Sequence, residues 1–242
     1  MKAHGEIANT YTAQWFSVFL DQISEEQTAH EVRFLRQFLP PEGFSAVIDL
    51  CCGTGRHARA LAKLDCRVTG IDRDRAALAT AREIAGPLVT YLELDMRQLH
   101  KLDVSVDAVL CLWQSFGYFD DATNRAIVLQ INRLLRPGGR FILDIYNPDF
   151  FVRHPGSRIF EHHRTRVSET KQISNNRMLV TLTYVNSPLT DEFDWRLYTL
   201  DEISALASEQ GFERVVQCSN FDAEQSVIPS APRMQLVFEK RS

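Results

Sequence analysis

Hydrophobic positions follow one period through the middle of this chain and another toward its end. From Ser45 onward, short apolar runs alternate with stretches whose apolar positions recur every three or four residues. That is the pattern of strands alternating with helices in a parallel sheet. The expected strands are 46–50, 67–71, 89–94, 106–112 and 140–145, with helices over 55–64, 73–85 and 122–135. Gly86-Pro87 and Arg136-Pro137-Gly138-Gly139 supply the turns. Residues 158–195 change to period two, most clearly from Met178 to Val185, with Ser174-Asn175-Asn176 as a turn, so a small antiparallel insertion is expected there. A helix over 200–210, closed by Gly211, precedes two last strands at 213–218 and 233–239.

Residues 1–42 are helical in character. Tyr11, Trp15, Phe16 and Phe19 recur at helical spacing, and Val32, Leu35, Phe38 and Leu39 share a face. Thr28 and Glu31 read as a capping box for the second helix, which Pro40-Pro41-Glu42-Gly43 stops. The aromatic excess predicts a cap on the sheet that also serves as a lid. The expected units are therefore a helical cap at 1–42, a sheet domain from 43–150 and 199–242, and a β insertion at 151–198 that covers the substrate.

Composition narrows the classes. The 242 residues carry a net charge of −4 with a pI near 6.0 and no basic stripe, which argues against a nucleic-acid partner. No apolar run is long enough to cross a bilayer and no leader-like start is seen, so a soluble cytoplasmic protein, monomer or homodimer, is expected. Five cysteines without C-x-x-C pairing read as reduced core thiols. No metal is expected. Cys51 and Cys52 alternate across a strand, and His154 and Glu161-His162-His163 lack ligand spacing.

The chemistry concentrates in Val47-Ile48-Asp49-Leu50-Cys51-Cys52-Gly53-Thr54-Gly55-Arg56-His57-Ala58, a strand, a glycine turn and a helix start. Such a loop delivers ligand groups to the carboxyl edge of a parallel sheet. Gly53-x-Gly55-x-x-Ala58 satisfies the loose dinucleotide fingerprint, so an NAD(P)-dependent oxidoreductase is one reading. Asp49, four residues before Gly53, suits a cation better than a pyrophosphate. Asp72 closes the second strand, placed for ribose hydroxyls. Asp95-Met96 follows the third, placed for an exocyclic amine and a base face.

With these residues the chain resembles the class I S-adenosylmethionine-dependent methyltransferases. Their motif D/E-x-G-x-G-x-G is matched by Asp49 to Gly55, with Cys51 in the first glycine position. The likeness extends to a bacterial subgroup through Glu31-Val32-x-Phe34-Leu35, Gly53-Thr54-Gly55-Arg56-His57, Ser115-Phe116-Gly117-Tyr118-Phe119 and Arg196-Leu197-Tyr198-Thr199. The resemblance implies a Rossmann-like, doubly wound α/β sheet of seven strands, the last antiparallel, with helices on both faces. It implies S-adenosyl-L-methionine as cofactor. Asp49, Gly53 and Gly55 would meet its methionine end, Asp72 its ribose, Asp95 and Met96 its adenine, and Leu112 and Trp113 its other side, with Cys51 and Arg73 as further cofactor contacts. A small-molecule acceptor, methylated on N, O or C, would meet Tyr11, Trp15, His57, Ser115, Tyr118 and Asn147. Asp144 and Tyr146 are the candidates for a base. A cofactor-binding module without chemistry is a further alternative.

Overall fold

Alternating burial along each strand creates two hydrophobic layers. The computed structural model describes residues 9–20, 22–162 and 164–242. Its main sheet contains β1 (Ala46–Leu50), β2 (Arg67–Asp72), β3 (Val89–Glu93), β4 (Val106–Cys111) and β5 (Leu135–Tyr146). A second sheet contains β6 (Gly156–His162), β7 (Thr165–Ser174), β8 (Arg177–Tyr184) and β9 (Thr190–Arg196), and β10 (Phe212–Cys218) and β11 (Arg233–Lys240) complete the first. The spatial order of the main sheet is β10-β11-β5-β4-β1-β2-β3. β11 is antiparallel to both neighbours, as expected of the last strand. The second sheet is an antiparallel meander, β6-β7-β8-β9.

The helices are α1 (Ala13–Trp15), α2 (Glu25–Phe38), α3 (Arg56–Ala62), α4 (Arg75–Glu83), α5 (Asp121–Leu134), α6 (Pro148–Arg153) and α7 (Leu200–Glu209). Because neighbouring strand residues face opposite ways, Ile48, Leu50 and Leu143 pack in one layer with Ile131 of α5 and Ile203 of α7. Val47, Val68 and Ile142 pack in the other with Leu35 of α2, Leu61 of α3 and Leu78 of α4. Helices on both faces bury the central strands β1 and β4 almost fully, which explains their apolar character, while the edge strand β3 keeps Thr90, Leu92 and Glu93 exposed.

Two expectations shift in detail. The cap of α2 is Ser24, whose side chain accepts the Gln27 N–H, with Glu25 and Glu26 in the first turn. Thr28 lies inside the helix and accepts a hydrogen bond from Arg56 Nη1. Residues 136–139, expected as a turn, belong to β5 as an irregularity of its register, since Leu135 pairs with Val106 and Arg140 with Ala108.

The expected N-terminal cap also divides between two partners; residues 1–8 of it lie outside the described residues. α2 belongs to the main core, whereas Tyr11, Trp15, Val18 and Phe19 pack with the second sheet. Thr12 donates through its backbone N–H and its hydroxyl to Asp191, each at 2.8 Å, and Asn9 Oδ1 accepts the Asp194 N–H at 2.6 Å.

Candidate cofactor and acceptor site

β1 delivers Asp49 to the carboxyl edge of the sheet with its carboxylate buried, 2 % exposed, accepting the Ala58 N–H at the start of α3. Burial raises its pKa, opposed by the charges of His57 and Arg56, so the site favours a cation beside it. The loop then turns through left-handed backbone at Cys51 (φ 60°), Gly53 (φ 53°) and Gly55 (φ 75°). An L side chain pays for that conformation, and Cys51 carries the cost in packing contact with Met96 and the main core. Gly55 has no such freedom: a Cβ there would lie 2.0 Å from the Tyr91 hydroxyl.

Asp72 ends β2 and binds the loop to itself. Its two oxygens accept the N–H groups of Gly53 at 2.7 Å and Asp74 at 2.9 Å. The helix that follows is capped by Asp74 rather than Asp72. Asp95 does cap the short 3₁₀ turn Met96–Lys101. It also holds Arg97 in a two-pronged ion pair, and that hydrogen bonding keeps its pKa low.

These acids meet in one cavity of about 470 Å³ at the carboxyl ends of β1, β2, β3 and β4. Asp49, Cys51, Gly53, Asp72, Arg73, Asp95, Met96, Leu112 and Trp113 all line it, with Tyr11, Trp15, His57, Ser115 and Tyr118. Gly55 lines neither this cavity nor the second one described below; it serves the loop through its backbone. The donor set suits the implied cofactor, with a buried carboxylate for an ammonium, a strand-end acid for a diol and an apolar Met96 beside an acid for a base.

Glu31, expected as a capping-box and helix residue, organises this cavity. It is 1 % exposed and accepts from His57 Nε2 (2.7 Å), Arg56 Nη1 (2.7 Å), Trp113 Nε1 (3.1 Å) and Gln27 Nε2 (3.3 Å). Burial would raise its carboxyl, but the hydrogen bonds and charges of His57 and Arg56 prevail and hold it at about 2. The readable signal was an acid on the face shared with Phe34 and Leu35.

Two expected roles change. Asp144 is fully buried and lines neither cavity. Its oxygens accept from Trp113 N–H (3.0 Å), Arg233 Nη1 (2.8 Å) and Gln235 Nε2 (2.8 Å), so it is a scaffold and has no exposure to act as a base. What it holds is an elbow: Trp113 and Gln114 are both left-handed, φ 55° and 58°. The Trp113 ring lies near two guanidinium groups, Arg56 at 5.0 Å and Arg233 at 4.7 Å. Asn147 likewise lines neither cavity. It caps α6 and donates to the carbonyls of Ile228 and Ala231, each at 3.0 Å.

Tyr146 lines a second cavity of about 160 Å³ between the sheet domain and the β insertion, and Tyr11, Trp15 and Trp113 form a wall common to both cavities. The Tyr11 and Tyr118 hydroxyls bond to each other beside the first cavity. The insertion is fastened at residues 117–121 and 196–198. Arg196 N–H donates to Gly117 O at 2.7 Å, and a Cβ on Gly117 would meet Arg196 O at the same distance. Arg177 donates to the carbonyls of Tyr118 and Phe119, and Tyr198 Oη bonds Asp121 and Asn124. Neither His154 nor His162 lines either cavity; His163 lies outside the described residues. Among the described residues no three His, Cys, Asp or Glu side chains form a metal cluster, and no helix is long and apolar enough to cross a membrane.

A seven-stranded sheet with an antiparallel last strand and three acids at successive strand ends defines a Rossmann-like class I methyltransferase fold. Comparison with known proteins agrees. A methyltransferase-domain family signature matches residues 47–139. The chain is 30 % identical over 167 residues to the ubiquinone biosynthesis O-methyltransferase of Pseudomonas aeruginosa, covering 65 % of this chain and 67 % of that one. It is 32 % identical over 122 residues to the ubiquinone/menaquinone biosynthesis C-methyltransferase UbiE of Rubrivivax gelatinosus, 50 % of this chain and 47 % of that one. In several such relatives the match spans about half their length. The structure of the CcbJ methyltransferase of Streptomyces caelestis superposes with a TM-score of 0.81 at 18 % identity, over 94 % of this chain and 96 % of that one. The chain belongs to the class I S-adenosylmethionine-dependent methyltransferases.

Proposed function

We propose that this protein transfers a methyl group from S-adenosylmethionine to a small-molecule acceptor. The observation that carries the reading is the convergence of Asp49, Asp72 and Asp95 with Met96 and Trp113 on one cavity whose wall is shared with a second, aromatic one. The cofactor would supply an electrophilic methyl on a sulfonium with a neutral leaving group. Asp49 would hold the ammonium, Asp72 the ribose hydroxyls beside Arg73, and Asp95 with Met96 the adenine, with Leu112 across from it.

The protein's own task is positioning and drying. Residues 9–20, fastened to the insertion at Asp191 and Asp194, cover the cofactor cavity with Tyr11 and Trp15. His57 and Arg56, both held by Glu31, close it from the α3 side. All five cysteines are free, which supports a reducing, cytoplasmic setting. The test is thermal: S-adenosylhomocysteine should raise Tm while NADH does not. The opposite result supports a nicotinamide enzyme, and cofactor binding without methylation of any acceptor supports a silent binding module.

A further inference from the structure

The second cavity is walled by rings. Tyr11 lies 4.3 Å from Trp15 and 4.7 Å from Phe193, and Trp195 lies 5.0 Å from both Phe193 and Tyr146, centroid to centroid. Among the described residues lining it, the charged side chains are Glu169 and Lys171. Lys171 Nζ bonds Glu169 Oε2 at 2.9 Å, and Arg158 Nε bonds the same oxygen. The Tyr146 hydroxyl has no hydrogen-bond partner among the described residues. Resting on the methyltransferase reading, we propose that this chamber is the acceptor site and takes an amine carried on a single ring, methylated on nitrogen.

Size sets the ring count. A dry cavity of about 150 Å³ accommodates one benzene-sized ring, and this chamber of about 160 Å³ matches that. Aromatic faces around it favour stacking and, through their quadrupoles, positive charge. An anionic nucleophile would meet the negative faces of those rings, and the Lys171 ammonium that could attract it is already paired with Glu169.

The charge movement of the reaction then chooses among nucleophiles. The amine first gives up its ammonium proton to solvent; its lone pair then forms the N–C bond to the methyl carbon, the C–S bond breaks with its pair going to sulfur, and the positive charge passes to nitrogen. The new ammonium sheds its N–H proton to solvent afterwards. Rings that stabilise that developing cation lower the barrier. A neutral alcohol would instead need a base during transfer, and the wall offers none. Burial raises Glu169, but the hydrogen bonds of Arg158 and Lys171 hold it below the usual range, so it is a weak base. Burial pushes the Tyr11 and Tyr146 hydroxyls up, so they keep their protons. His57 lines the other cavity and not this one.

The experiment is calorimetry on the protein saturated with S-adenosylhomocysteine, using benzylamine and cyclohexylamine against benzyl alcohol and cyclohexanol. Each compound is also incubated with S-adenosylmethionine and checked by mass for a methyl gain. The amines should bind at least tenfold tighter and alone gain mass. Glu169→Gln should weaken amine binding about five- to tenfold and leave S-adenosylhomocysteine affinity within twofold, which also shows that the variant is folded. Alcohols bound or methylated as well as the amines, or no binding of either amine, overturns the acceptor assignment and leaves the cofactor reading intact. Failure of S-adenosylhomocysteine to bind the unmodified protein overturns both.

Discussion

His57 Nε2 stands 2.7 Å from a Glu31 carboxylate oxygen with both side chains shielded from solvent, and this pair ties α2 to the glycine-loop helix. Removing one partner of a buried pair strands the other, at about 3–5 kcal/mol. Glu31→Ala should therefore lower unfolding stability by about that amount, measured by urea titration at pH 7. The pH dependence has a defined sign. With its folded pKa held at about 2 against an ordinary 4.5, Glu31 contributes stability that is full above pH 4.5 and lost as pH falls toward 2. Glu31→Gln should flatten that part of the acid limb; an unchanged limb would show that the pair contributes nothing.

Asp49 predicts the opposite trade. Its folded pKa is raised by burial, so its contribution is fullest below pH 3.8 and is lost as pH rises through the folded value. Asp49→Asn should leave Tm equal or higher while cutting S-adenosylhomocysteine affinity at least tenfold by calorimetry. A variant that loses Tm and keeps affinity would make Asp49 a structural acid.

Asp72→Ala removes a proposed ribose partner and also frees the Gly53 N–H. Cofactor affinity should fall by about 1–3 kcal/mol. Unchanged affinity by calorimetry would assign Asp72 to the loop alone.

Gly55→Ala combines a left-handed backbone with a Cβ 2.0 Å from the Tyr91 hydroxyl. The conformational cost of about 1–2 kcal/mol and overpacking of about 1–3 kcal/mol should appear together as a shifted urea midpoint. A midpoint within error of the parent would contradict the packing described.

Asp144→Asn tests scaffold against base. The new amide would face donors from Trp113, Arg233 and Gln235, so stability should fall and tryptophan emission should change as the Trp113 elbow relaxes. Intact stability with lost methyl transfer would restore Asp144 as a catalytic group.

The sheet and the site's acids were legible for a physical reason. The strands are mostly apolar up to their carboxyl ends, where an acid stands at or just beyond the strand, Asp49 within β1, Asp72 closing β2 and Asp95 after β3. Asp72 and Asp95 were found that way. Asp144 misled because a carboxylate within an apolar strand reads equally as reactive or as hydrogen-bonded scaffold. The difference depends on Arg233 and Gln235, which lie on a strand far away in sequence. Asn147 failed similarly, its partners being carbonyls at 228 and 231. Glu31 was hidden because helical spacing shows which residues share a face but not which distant guanidinium or imidazole that face meets. The cap at Thr28 was misplaced since Ser24 and its two following acids offer the same chemistry one turn earlier.

The seam at Gly117 and Arg196 joins the β insertion to the sheet domain. β6 to β9 form one continuous stretch that leaves the sheet domain after α6 and returns before α7. Its attachment combines a main-chain bond, Arg196 N–H to Gly117 O, with side-chain ones, Arg177 to the carbonyls of Tyr118 and Phe119 and Arg196 to Asp121 and Glu202. On the proposed reading, the strands that wall the second cavity are where acceptor preference is set, while Asp49, Asp72 and the glycine turn keep to the cofactor.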